Sequence, residues 1–335
     1  MKYSNLFWIA GICLLIFSCG KKEEENCELD SEILNQELDL EIVRLEREFF
    51  DAKSQEDFSF LIEKYPEFTE TYLRPDLYPS LDTLTAELLM IHQDSSMRTL
   101  NDSVQLVFND FSDIEKELET AFKAIKYYFP EFQVPKVYTF VSGFNTDLVV
   151  TEEVIVIGLD YFLPPTHEFQ PELARYMAER YDRPYIVPMI VTAISSQFNN
   201  TNPQDNTLLA EMIYYGKAYH FTKAIIPCTS DQFIIGYTPD EISECYANEE
   251  FIWSHFVQNE LLYETNPFEI RKYMGEAPFT DAISTKAPGR LGRWLGWNIV
   301  DDYVMNQDVT LQMLMMNPDA ELIFRQSGYR PRPPA

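Results

Sequence analysis

Residues 184–198 contain a run that is apolar on every side of a helix: Ile186, Val187, Met189, Ile190, Val191, Ala193 and Ile194 leave no polar face. A helix patterned this way has to be covered all round, which makes it the central buried helix of whatever the chain folds into. The rest of the sequence must supply the wrapping. Residues 110–129 are the clearest wrapping helix, with Phe111, Ile114, Leu118, Phe122, Ile125 and Phe129 as its stripe and Pro130 as its stop. Ser112 and Glu115 have the spacing of a capping box at its start. Residues 207–226 predict a second, carrying Leu208, Leu209, Met212, Ile213 and Phe221 and closed by Pro227.

Between these helices the period changes. Val137 to Val141, Leu148-Val149-Val150 and Val154 to Ile157 are strand chemistry, and Thr151-Glu152-Glu153 reads as the turn of an antiparallel hairpin. Strands beside helices, rather than alternating with them, predict an α+β fold, mostly helical with a small antiparallel sheet. Upstream, Leu34, Leu38, Ile42, Leu45 and Phe49 recur at helical spacing, so residues 29–65 are expected as a helix with one packed face, repeated more briefly from Asp57 to Pro66. Downstream, Thr238-Pro239-Asp240-Glu241 opens a helix expected to run towards Tyr263. Residues 288–303 form the last, with Leu291, Leu295 and Ile299 on one face and Gly292 and Gly296 leaving room for another backbone.

The N-terminus points to export. Lys2, an uncharged run over 6–17 and then Ser18-Cys19-Gly20 make a bacterial lipoprotein signal, too short in its apolar part to span a bilayer comfortably. Leu15-Ile16-Phe17-Ser18-Cys19-Gly20 resembles the lipobox, which implies cleavage before Cys19 and lipidation of its thiol with a diacylglycerol and a third acyl chain. One chain binds a membrane only marginally, whereas three hold it. The following GKKEEEN is a charged tether, read equally as a solvated spacer or as a surface-export signal. The expected boundaries are a signal peptide over 1–18, an acylated tether over 19–28, an N-terminal helical layer over 29–109, an α+β domain over 110–330 that forms one unit with that layer, and a disordered tail over 331–335.

Charge excludes some partners. With 54 Asp and Glu against 26 Lys and Arg, the formal charge is −28, which argues against nucleic acid and against direct adsorption on anionic lipid. The membrane contact is therefore expected through the lipid on Cys19 alone. The high share of Phe and Tyr is read as core. Of the cysteines past the anchor, Cys27, Cys228 and Cys245, an odd number, the pair Cys228–Cys245 is the candidate disulfide of an oxidising compartment.

Catalytic motifs are sparse. The order of small sheet, buried helix and second helix is a skeleton on which zinc peptidases carry HExxH, yet the four histidines His92, His167, His220 and His255 are never closer than the 35 residues between the last two. No GxSxG is present. Glu249-Glu250 with His255 is read as an exposed helix face. No cofactor, metal or small-molecule substrate is expected. The one concentrated feature is the run PGRLGRWLGW at 288–297, where Arg290, Arg293 and Trp297 form a candidate partner patch near the surface and Trp294 is assigned to the core.

These same residues carry a resemblance. IGYTPDE at 235–241, Asn248-Glu249-Glu250 with Trp253, Ala277-Pro278-Phe279 and the run from Pro288 to Val300 resemble the GldB family of gliding motility lipoproteins of Bacteroidota, as do Tyr127-Tyr128-Phe129-Pro130 and Met212-Ile213-Tyr214-Tyr215-Gly216-Lys217. The resemblance covers nearly all of the mature chain. It implies a cell-envelope lipoprotein needed for gliding, at the outer membrane in preference to the inner, working beside other envelope proteins of the type IX secretion and motility machinery. The family is distantly similar to zincin-like peptidases, which implies a zincin-like scaffold. There an acidic residue would precede the glycine where this chain has Tyr215-Gly216, so both halves of the zinc site are missing. The expectation is a non-catalytic descendant acting through protein contacts. The alternatives are a hydrolase with a non-standard site built from Glu211, His220, His255 or Ser195-Ser196, and a lipoprotein assembly or binding factor.

Overall fold

The computed structural model describes residues 27–331. The signal peptide, Cys19, the tether through Asn26 and residues 332–335 lie outside them. After a single helical turn at Ser31–Leu34, the chain forms strand β1 (Ile42–Arg44) and helices α1 (Leu45–Asp51), α2 (Gln55–Lys64), α3 (Leu81–Gln93), α4 (Ser95–Val107) and α5 (Ser112–Tyr128). Strands β2 (Lys136–Phe140), β3 (Leu148–Val150) and β4 (Val154–Gly158) follow. The remaining longer helices are α6 (Ile186–Ile194), α7 (Leu208–Ile225), α8 (Pro239–Ala247), α9 (Glu249–Gln258), α10 (Pro267–Met274), α11 (Leu291–Gln307), α12 (Leu311–Met316) and α13 (Ala320–Ser327).

The fold is mostly helical around one small sheet of order β1-β2-β4-β3. The expected hairpin is present, with β3 antiparallel to β4 and Leu148 opposite Ile157. The rest of the sheet corrects the antiparallel expectation. β1 runs parallel to β2, and β2 parallel to β4, so the sheet is mixed. The helices α1–α5 form the long connection that a parallel β1–β2 pair requires.

β1 also corrects the helix predicted over 29–65. Ile42 sits opposite Val137 in the sheet, because a three-residue strand gains its stability from pairing and not from its own periodicity. Arg44, at its end, reaches Glu46 at 2.8 Å, and that buried carboxylate also accepts the Thr139 hydroxyl of β2.

Strand alternation divides two cores. Tyr138, Phe140, Val154 and Val156 face a cluster with Leu45, Phe49, Phe58, Phe68, Leu84 and Leu88. Val137, Ile155 and Ile157 face the larger core of α4, α5, α6, α7 and α11. The all-apolar helix is central as expected, with Ile186, Val187, Ile190, Val191 and Ile194 at 1 % exposure or less.

Local details depart from the sequence reading in three places. Ser112 and Glu115 form no capping box; the backbone N–H and hydroxyl of Ser112 instead both donate to Asp110 Oδ1, at 3.0 and 2.7 Å. The helix from Thr238 has its capping box with Glu241, but it breaks at Asn248 into α8 and α9 and does not run on towards Tyr263. Cys228 pairs with Cys27, 201 residues away, and Cys245 is a buried free thiol. The Cys228–Cys245 pairing is therefore wrong: Cys245 lies on the packed face of α8, where burial pushes its thiol pKa up.

Candidate functional site

α7 and α11 are the central packed pair, and two glycines set their spacing. A Cβ on Gly296 would lie 2.0 Å from the Met212 carbonyl oxygen, and one on Gly216 2.3 Å from that of Gly296. The helices thus meet backbone to backbone, and the larger side chains beside each glycine interleave along the seam. The Arg293 guanidinium lies 4.0 Å from the Tyr215 ring centre. Next along, Trp297 packs on Tyr219 at 5.5 Å. Beyond them His220 Nδ1 is 2.7 Å from Asp301 Oδ1.

The patch expected on the surface is largely inside. Arg290 is 6 % exposed and Trp297 7 %, while Trp294 is 2 % exposed. Arg290 can be buried because its guanidinium donates to the Ile235 and Gly236 carbonyls at 2.8 and 3.1 Å and stacks over Tyr237. Glu276 supplies the counter-charge. Arg180 reaches it at 2.7 Å, and Arg290 and Arg293 approach at 3.5 Å. Burial alone would raise the Glu276 pKa, but the three guanidiniums outweigh it and hold the carboxyl below its usual range. Arg293, mostly covered, donates to the Met274 carbonyl at 2.8 Å. Trp297 Nε1 has no hydrogen-bond partner among the described residues.

The residues considered for hydrolysis do not converge. Ser195 and Ser196 donate back to the Thr192 and Ala193 carbonyls at 2.6 and 2.8 Å. His255 meets Tyr273 Oη at 3.0 Å, on a different pair of helices from His220 with Asp301. Glu249, read as exposed, is 2 % exposed and accepts from Tyr329 Oη at 2.6 Å; Glu250 is exposed. Among the described residues no three His, Cys, Asp or Glu side chains group as a metal site.

A cavity of about 620 Å³ lies at the N-terminal half of α7, between the loop 199–207, α10, Arg293 and the segment 317–320. Of the candidate site residues named from the sequence, Glu211 and Arg293 line it, though neither was read as part of a cavity; the run of asparagines at 199–206 followed by Lys217 was a further available signal. Ile213, Ile270 and Met274 are its apolar lining, and Asn199, Asn200, Asn202, Asn206, Thr207, Glu211 and Tyr214 are polar groups on it.

Three of its polar groups are built into the wall. Lys217, 1 % exposed, donates to the carbonyls of Asn200, Met315 and Asn317 at 2.8, 3.0 and 2.9 Å, and burial lowers its pKa to about 8. Asp205 takes the Thr207 N–H and hydroxyl at 3.1 and 2.7 Å. Asn199, 8 % exposed, donates through Nδ2 to the Tyr214 carbonyl at 2.9 Å, and its Oδ1 has no partner among the described residues. The Glu211 carboxylate makes no hydrogen bond or ion pair among the described residues. Burial raises its pKa, opposed by the charge of Arg293.

The arrangement offers binding chemistry: apolar lining, acceptors without a partner among the described residues, and the exposed guanidinium of Arg271. No curated protein and no solved structure matches the chain. The family model described as gliding motility protein GldB matches residues 26–331. That match takes in every described element from the Cys27–Cys228 disulfide to α13, so the chain belongs to the GldB family of gliding motility proteins.

Proposed function

We propose that this member of the family is a lipid-anchored protein of the cell envelope, held at the outer membrane by acylated Cys19, that serves gliding through contacts with other envelope proteins of the motility and secretion machinery and not through catalysis. The observation that carries it is the apolar run over 6–17 closed by Ser18-Cys19-Gly20 ahead of a GldB domain. Among the described residues no helix is long and apolar enough to cross a membrane. The absence of HExxH from the sequence and the scattering of His220, His255, Ser195 and Ser196 support a non-catalytic role on a zincin-like scaffold that has lost its ligands.

The disulfide gives the anchor a geometry. Cys27 is fastened to Cys228, just past the end of α7, and Cys19 lies eight residues before Cys27. Fully extended, eight residues reach roughly 26–29 Å. The domain is thereby held close to the bilayer by the Cys228 end of α7, and the cavity at Glu211 sits about 20 Å further along that helix, at a rise of about 1.5 Å per residue.

Cys19→Ala tests the anchor. The variant should appear in the soluble fraction with an unchanged melting temperature and should fail to restore spreading to a deletion strain. A variant that still sediments with membranes removes the lipid-anchor reading.

A further inference from the structure

We infer that the cavity beside α7 is a peptide-binding site for a short segment of a partner protein that presents an apolar side chain next to a carboxylate, either an acidic residue or a free C-terminus. This rests on the contact-based reading above and names where one such contact is made. The cavity at about 620 Å³ has the size of a small-ligand or short-peptide site.

The first argument is Asn199. Its side chain is pinned by the Nδ2 bond to the Tyr214 carbonyl, so Oδ1 is held in place with no donor among the described residues. A buried acceptor left unmade costs about 1–3 kcal/mol, and a main-chain N–H that reaches Oδ1 after a small shift of the cavity-lining Asn199 side chain removes that cost. Glu211, half-buried and unpaired on the same helix wall, is a second acceptor for N–H groups.

The second argument is charge. In a chain of formal charge −28, the cavity lining holds Arg271, Arg293 and Lys217 against Asp205 and Glu211. Asp205 is committed to Thr207 and Lys217 to three carbonyls. Arg293 is held by the Met274 carbonyl, the Tyr215 ring and Glu276, whereas Arg271 is exposed, lines the same cavity and makes no ion pair among the described residues, so it is the cation left for a ligand. A carboxylate there meets the guanidinium of Arg271 in a molecule of strongly negative net charge. The third argument is the floor of Ile213, Ile270 and Met274, which favours an apolar side chain over a string of hydroxyls.

The test uses the mature protein in detergent. Displayed random hexapeptides with free C-termini are panned against it, and an enriched peptide is labelled and titrated by fluorescence polarisation. Enriched sequences should carry Asp, Glu or the terminal carboxylate beside an apolar residue. Arg271→Glu, an exposed change with no bond to lose, should weaken binding at least tenfold at an unchanged melting temperature. Asn199→Leu should weaken it as well, and if that variant folds poorly, Glu211→Gln reports on the same wall.

Failure of any peptide to enrich, or binding indifferent to Arg271→Glu, overturns the site. Each of these leaves the anchor reading standing, since Cys19→Ala tests that separately.

Discussion

Gly216 of α7 and Gly296 of α11 touch backbone to backbone: a methyl group on Gly216 would stand 2.3 Å from the Gly296 carbonyl oxygen, and one on Gly296 would stand 2.0 Å from that of Met212. The obstacle in both cases is main chain, which cannot swing aside as a flexible side chain can. Gly216→Ala or Gly296→Ala therefore has to push the two helices apart and loosen Arg293 from Tyr215 and Trp297 from Tyr219. Overpacking of this kind costs about 3 kcal/mol or more where no relaxation is available. Denaturant unfolding of either variant should show that loss, and a change below about 0.5 kcal/mol would mean the seam is not tight.

Trp294→Ala and Trp297→Ala should each cost about 3–5 kcal/mol, because both indoles are buried, Trp294 against Tyr246 and Trp297 against Tyr219. Trp297→Phe should cost less than Trp297→Ala, since the indole N–H it discards has no partner. Thermal melts decide the matter. A Trp297→Ala protein that melts like wild type yet fails in gliding would restore this residue to a surface role.

What the sequence disclosed follows from how local each signal was. The central helix at 186–194 and the stripe of α5 were legible because burial leaves its period in the chain. Gly292 and Gly296 were legible as a close-packing seam for the same reason. β1 was hidden: three residues carry no period, and only Val137 and its neighbours across the sheet make Ile42 a strand residue. Arg290 was misread as superficial, since its partners Ile235, Gly236 and Glu276 are 14–55 residues away and come together only in the fold. The cavity went unread as a unit for a related reason. Asn199, Glu211 and Arg271 lie on three separate segments, and each alone looks like an ordinary polar residue.

The Cys27–Cys228 bridge closes a separation of 201 residues, so its removal releases a long loop in the unfolded chain. Cys228→Ser should lower stability by about 2–4 kcal/mol. It should also abolish the mobility difference between reduced and non-reduced gels, while Cys245→Ser leaves that difference intact. A shift that survives Cys228→Ser and vanishes with Cys245→Ser would reverse the assignment.

Lys217 makes a prediction with a sign. Its folded pKa of about 8 is below the value of about 10.4 in an unfolded chain. Between those values the unfolded state holds a proton that the folded state has released, so stability rises with pH across that window. Lys217→Met, which strands three carbonyl oxygens, should destabilise by at least about 2 kcal/mol at neutral pH. The gap to wild type should then widen from pH 8 to pH 10, by at most about 1.4 kcal/mol per pH unit. A gap that narrows would show that the carbonyls of Asn200, Met315 and Asn317 keep the ammonium charged throughout.

The central claim is that gliding depends on this protein's anchor and contacts and not on chemistry at its histidines or serines. It is tested most directly by complementing a deletion strain with the combined variant His220→Gln, His255→Gln and Ser196→Ala, with abundance and melting temperature checked alongside spreading. The account predicts spreading at the wild-type rate. Loss of spreading in a variant that is as abundant and as stable as wild type would contradict it and return the hydrolase reading.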